Sequence, residues 1–262
     1  MKKVKLLKGI KSLLSLLTTI PIGEEDIESG ARVFYLVPLI GLLEGCIAGA
    51  ILSLMKILQL SIDIIAVLYI AIHIAITGGI HIDGYADYLD AIGSHRRGEE
   101  ALKIMKDPRK GTFSIAILTL SLITSYISMK ELITLDLYEL IPLLISIYVS
   151  ATESMYIVAA IGREEPYMGL GYMFSRYAKP LKNIIMNIAI YVLLILLLLA
   201  INMKILLHLL AIVVLTIAIS LLSYRDSRYR IGFITGDVMG FTYELLRILS
   251  LLILSITTSR CL

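Results

Sequence analysis

Tryptophan is absent from the 262 residues, and cysteine occurs only twice, at Cys46 and Cys261. Two cysteines so far apart fit neither a zinc pattern nor a disulfide framework, and both read as inert fillers. With no Trp, an aromatic belt at a membrane surface has to come from the 15 Tyr. Charge is scarce as well: Asp, Glu, Lys and Arg make up 17% of the chain against 58% hydrophobic residues, and the mean hydropathy is +0.88. A soluble domain of this size is far less apolar, so the expected fold class is all-α, a polytopic integral membrane helical bundle in the lipid bilayer. No basic stripe with interleaved aromatics is present, so nothing argues for nucleic acid. Neither an internal repeat nor a low-complexity linker interrupts the sequence, which predicts a single domain over 1–262.

Apolar runs close to the ~20 residues that cross a bilayer lie at 33–55, 60–80, 112–133, 139–161, 183–203, 205–222 and 241–258. This predicts about seven transmembrane helices. Only Met203-Lys204 separates the fifth from the sixth, so the range is six to eight. If the N-terminus is cytoplasmic, 19 of the 24 Lys and Arg fall on that side, in 2–32, 81–111, 162–182 and 223–240. Lys56, Lys130, Lys204 and Arg260 fall opposite, and Arg247 lies within the last span. Such a bias is a strong positive-inside signal. It predicts a multi-pass protein of the cell membrane whose polar, chemistry-bearing segments face the cytoplasm. Within 1–20, residues 2–17 set Lys against Leu and Ile at helical spacing, as in an amphipathic helix lying at the interface. A signal peptide is the rival reading, but no convincing small-residue cleavage site follows.

At the end of the second apolar run stands Thr77-Gly78-Gly79-Ile80-His81-Ile82-Asp83-Gly84-Tyr85-Ala86-Asp87-Tyr88-Leu89-Asp90. On one helix Asp83, Asp87 and Asp90 fall within roughly 60° of each other. Carboxylates that close repel unless a cation neutralises them, and Mg²⁺ is the natural partner. The same segment, 81–111, then turns basic, with His95, Arg96, Arg97, Lys103, Lys106, Arg109 and Lys110. Acids for a metal followed by bases for phosphate suit a substrate that carries a diphosphate; the bland reading is a solvated loop with internal ion pairs. This segment is expected to be the main catalytic loop.

A second motif segment, 223–240, contains Arg230 and then Thr235-Gly236-Asp237-Val238-Met239-Gly240, with Glu244 seven residues beyond Asp237. A helix starting near Asp237 puts that carboxylate and Glu244 on one face and offers free N–H groups to phosphate. Tight helix packing with Asp237 as an N-cap explains the pattern equally well. Glu44 and Glu153 fall inside predicted spans, where a carboxylate is by default a functional candidate; Glu153 is close enough to one end to reach the site. His73 and His208 read as packing residues.

These motifs resemble the cobalamin synthase family, adenosylcobinamide-GDP ribazoletransferase. The resemblance rests on Gly78-Gly79-Ile80-His81-Ile82-Asp83-Gly84 with Ala86-Asp87 and Asp90, and on Ile104-Met105-Lys106-Asp107 with Arg109 and Gly111-Thr112-Phe113. It extends to Gly169-Leu170-Gly171, to Thr235–Gly240 with Glu244, and near the start to Thr18-Thr19-Ile20-Pro21 and Pro38-Leu39-Ile40-Gly41. One departure is Glu153, near where many members carry Arg. The resemblance implies a Mg²⁺-dependent membrane transferase that joins α-ribazole or its 5′-phosphate to adenosylcobinamide-GDP and releases GMP. It implies that Asp83, Asp87 and Asp90 hold the metal, with Asp237 completing the catalytic set. Substrate contacts then fall on His81, Arg96, Lys106, Asp107, Arg109, Lys110, Thr235, Gly236 and Glu244. The corrinoid nucleotide and the ribazole are the partners it implies, other late cobalamin enzymes are candidates, and an oligomer is compatible with it.

Two alternatives stand beside this. A phospholipid-synthesising CDP-alcohol phosphotransferase also uses clustered aspartates beside a membrane, but its signature, Asp-Gly-x-x-Ala-Arg, carries Ala-Arg where this chain has Asp87-Tyr88. An ion-coupled transporter would use Glu44 and Glu153, but should show broken helices related by an internal repeat.

Overall fold

The computed structural model describes residues 2–22 and 26–259, with side chains over 6–22 and 26–258. Arg260 and Cys261 lie outside the described residues. Twelve α-helices and two short 3₁₀ turns account for the fold, with no strand among the described residues. In chain order they are α1 Lys2–Leu17, α2 Ile27–Arg32, α3 Val37–Ile57, α4 Ile62–Thr77, α5 Ile80–Gly93, α6 Glu99–Met105, α7 Thr112–Leu132, α8 Leu137–Ile161, α9 Leu170–Ala178, α10 Leu181–Ile201, α11 Leu206–Arg230 and α12 Gly236–Ser259.

Six helices are long and apolar enough to cross a membrane, or seven if one bent pair counts as a span. The bent pair is α4 with α5, which meet at 94°. The turn is built by Gly78 and Gly79, at φ +64° and +74°. Two successive left-handed residues are costly for anything but glycine, so this dipeptide fixes where the run ends. Alone, α4 has 16 residues, about 24 Å at ~1.5 Å per residue, short of a full crossing. The chain after α1 docks on its end: Thr19 donates from its backbone N–H to Ile76 O at 2.9 Å and from Oγ1 to Ala75 O at 2.7 Å.

The core is α8 and α12, whose apolar stretches are mostly buried, while α7, α10 and α11 lie outside them. Leu193, Leu196, Leu197, Leu207, Leu210 and Val214 are exposed on α10 and α11. So much uncovered apolar surface belongs against lipid. The close packing of α3 on α8 runs through Gly41 and Gly45: a Cβ there would come within 2.5 Å of Tyr148 O and 2.7 Å of Ile145 Cα. This is the small-residue, four-apart seam of tightly packed membrane helices.

Three boundaries differ from the sequence reading. The second expected span, 60–80, ends as a helix at Thr77 and turns by 94° at Gly78-Gly79 into α5. Helix α11 continues to Arg230, past the predicted span end at 222, so only 231–235 of the second motif segment is non-helical. Segment 81–111 holds α5 and α6 and is mostly helix. Both extensions carry charged residues that hydropathy excludes but a helix tolerates at its solvated end.

Candidate active site

The acidic helix forms as its spacing requires, and its carboxylates then part company. Asp83 is exposed and Asp87 is mostly buried. They converge on Lys110, whose Nζ lies 2.9 Å from Asp83 Oδ1 and in direct contact with Asp87 Oδ1. Burial pulls the Lys110 ammonium down, but the hydrogen bonds to Asp87 and Asp83 outweigh it and hold its pKa above the usual range. Asp90 turns elsewhere: it accepts from the backbone N–H of Gly111 at 2.7 Å and of Ser114 at 3.3 Å. It thereby caps α7, where free N–H groups and the helix dipole favour a carboxylate. Gly111 makes this possible, because a Cβ there would lie 2.5 Å from Asp90 Oδ1.

Asp237 arrives from the opposite end of the sequence. A Cβ on Gly84 would lie 3.0 Å from Asp237 Cα, and one on Gly240 would lie 3.2 Å from His81 O and 3.5 Å from Gly84 Cα. Glycine on both helices lets the backbones of α5 and α12 nearly touch. Asp237 therefore sits in the field of Asp87, Asp83 and Lys110. Unlike the other two, it has no ion-pair partner among the described residues. Thr235 starts α12 here, its Oγ1 accepting from Val238 N at 3.2 Å, with Gly236 the first helical residue.

One group was missed in the sequence. Glu165, in the loop between α8 and α9, is nearly buried and lies in the field of Asp237 and Lys106. Its oxygens occupy the space that a Cβ at Gly169 or Gly171 would need, at 2.7 and 2.5 Å. Burial, opposed by the Tyr172 backbone hydrogen bond, pushes its carboxyl from 4.5 to about 7. The signal in the sequence was the pair of glycines after it. Lys106 lies 4.7 Å over the Tyr167 ring in the same loop.

The other expected residues are engaged in contacts of their own. Arg109 is exposed and folds back on Asp107, with Nη2 to Oδ2 at 2.9 Å, and this contact holds the Asp107 carboxyl down at about 2. Arg96 pairs with Glu100 at 3.3 Å on the surface. His81 is buried and stacked on Tyr243, with ring centres 4.1 Å apart. Glu244 is inside the bundle, between His73 Nε2 at 2.7 Å and Arg247 Nε at 2.9 Å. Glu44 accepts from Tyr243 Oη at 2.7 Å. Glu153 is buried against Asn187 of α10. Arg230 locks the end of α11 to Asp226 at 3.0 Å and to Ala91 O at 3.1 Å.

No three His, Cys, Asp or Glu side chains among the described residues converge as a ready metal cage. Two hard carboxylates aimed at one cation are nevertheless a suitable start for Mg²⁺, which takes one or two carboxylates together with substrate phosphates. The donor set of Asp83 and Asp87 fits that pattern, with the Lys110 ammonium marking the cation position.

Comparison with known proteins gives one consistent result. A family model described as cobalamin-5-phosphate synthase matches residues 9–255. A protein of Treponema denticola named adenosylcobinamide-GDP ribazoletransferase is 31% identical, over 91% of this chain and 94% of the relative. Proteins of the same name from Vibrio cholerae and Clostridium perfringens are 32% and 29% identical, covering 90% and 95% of this chain and 86% and 98% of theirs. No solved structure matches.

Proposed function

Because the chain belongs to the cobalamin-5-phosphate synthase family, we propose that it is an adenosylcobinamide-GDP ribazoletransferase, joining α-ribazole or its 5′-phosphate to adenosylcobinamide-GDP in a late step of cobalamin biosynthesis. The family match displaces both the CDP-alcohol phosphotransferase and the transporter. The observation that carries the reaction is the meeting of Asp83, Asp87 and Lys110 with Asp237 at the Gly84 contact.

The ribazole hydroxyl oxygen forms a bond to the phosphorus on the cobinamide side. The bond from that phosphorus to the bridging oxygen breaks, and GMP leaves with the bridging oxygen. Such a transfer asks the protein chiefly for positioning and charge stabilisation. Asp83 and Asp87 would hold Mg²⁺ against the diphosphate, where it offsets phosphate charge. Lys110, released from the two carboxylates by the metal, and Lys106 add positive charge for the phosphates. Asp237, without an ion-pair partner among the described residues and in the field of both acids and of Glu165, accepts the hydroxyl proton. The bias of Lys and Arg toward the segments at this end supports a site facing the cytoplasm from the cell membrane.

The test is an assay of protein purified in detergent with adenosylcobinamide-GDP, α-ribazole and Mg²⁺, following GMP and the corrinoid product by mass spectrometry. Both products are expected, and EDTA is expected to remove them. GMP formation that persists in EDTA overturns the metal assignment, and absence of both products from folded protein overturns the reaction.

A further inference from the structure

Beside the carboxylates lies a small apolar cavity of about 110 Å³. Its walls come from five separate elements: Leu17 of α1, His81 of α5, Met155 of α8, Leu170 of α9 and Met239 of α12, and Asp83 and Asp237 add carboxylates to the lining. We propose that this cavity takes the flat aromatic base of the incoming nucleoside and holds its sugar hydroxyl toward Asp237. The proposal rests on the reaction given above and names the half of that site which selects the attacking alcohol.

Three observations point the same way. First, scale: an engineered apolar cavity of about 150 Å³ takes one benzene ring, so this one takes the edge of a flat ring system and excludes a corrin macrocycle. Second, chemistry: thioether, aliphatic and aromatic side chains, with the His81 ring among them, form a soft, largely apolar wall suited to an uncharged ring. The phosphate-bearing substrate belongs instead with Lys110 and Lys106, outside this wall. Third, position: the two carboxylates at the mouth are those the transfer uses, so a base lodged behind them leaves its hydroxyl beside Asp237. The wall supplied by Leu17 gives the amphipathic helix α1 a part in substrate selection as well as in interfacial anchoring.

The absence of native Trp makes a direct test available. Leu170→Trp, at a half-buried wall position, places a single fluorophore in the cavity and takes up its space. Saturable quenching by α-ribazole, not by GMP, is expected. The KM for α-ribazole is expected to rise at least ~10-fold, as when a pocket loses room for part of a ring. The KM for adenosylcobinamide-GDP should stay within about twofold. Should Leu170→Trp not fold, Met155→Phe is read for the same split in KM. Equal movement of both KM values, or no movement in either, overturns the cavity assignment. Quenching that lipid additions reproduce in place of α-ribazole assigns the cavity to an acyl chain and also overturns it. Ribazole quenching without GMP release by the unaltered protein would keep the cavity and remove the reaction; GMP release without quenching would do the reverse.

Discussion

Asp83 and Asp87 share one lysine at the open end of the bundle, whereas Glu244, two turns further along α12, is held between His73 and Arg247 with 1% exposure. Both sets hold acids against bases. At the open end Asp83 faces water and Lys110 keeps part of its surface exposed, so that Lys110 can give way to a cation or a phosphate. In the interior the ions are out of water, and each is tolerated only because its partners stay in place. The first region is built to exchange its partners and the second to keep them.

The largest expected effect comes from disturbing the interior. Glu244→Ala leaves Arg247 buried and uncompensated, which costs about 3–5 kcal/mol. A much lower melting temperature and aggregation in detergent are expected; a protein of normal stability would show that the pair is not structural. The open end should respond in the opposite way. Asp83→Asn and Asp87→Asn are expected to lower GMP release at least ~10²-fold, the scale of losing one transition-state stabiliser, with the melting temperature unchanged. If stability falls with activity, the contrast between the two regions disappears.

Smaller effects sharpen the boundary. Gly84→Ala puts a methyl group 3.0 Å from Asp237 Cα, and forcing α5 from α12 should cost about 1–3 kcal/mol. Activity should fall more than stability, since the contact sets the distance from Asp237 to Asp83 and Asp87. Equal activity in Gly84→Ala would show that the spacing is not critical. The smallest effect concerns Glu165, whose pKa rises on folding from 4.5 to about 7. A raised carboxyl pKa favours the folded state while the group is protonated, so that contribution is complete below about pH 4.5 and is lost as pH rises through about 7. The melting temperature should drop over this interval, on the order of 5 °C, and Glu165→Gln should flatten the drop. An unchanged profile in Glu165→Gln would assign the slope to another group.

Much of this was legible locally. Apolar runs located the long helices, because a bilayer crossing depends on length and composition. The i, i+4, i+7 spacing put Asp83, Asp87 and Asp90 on one face. It could not show that Asp90 is spent on the N-terminus of α7, since that depends on Gly111 bringing a distant backbone to the carboxylate. Glu244 was legible as a motif residue beside Asp237, but its ties to His73 and Arg247 join α4 to α12 and leave no trace in spacing. Glu165 carried no charge pattern of its own and was marked only by Gly169 and Gly171.

The sequence by itself determined the membrane-spanning helical architecture and the helix on which the acids sit, because composition and helical period act over a few residues. Only the tertiary structure decided which acids come together. Asp237 joins Asp83 and Asp87 because Gly84 and Gly240 let two backbones approach within van der Waals contact, and that approach is a property of two packed surfaces rather than of either helix.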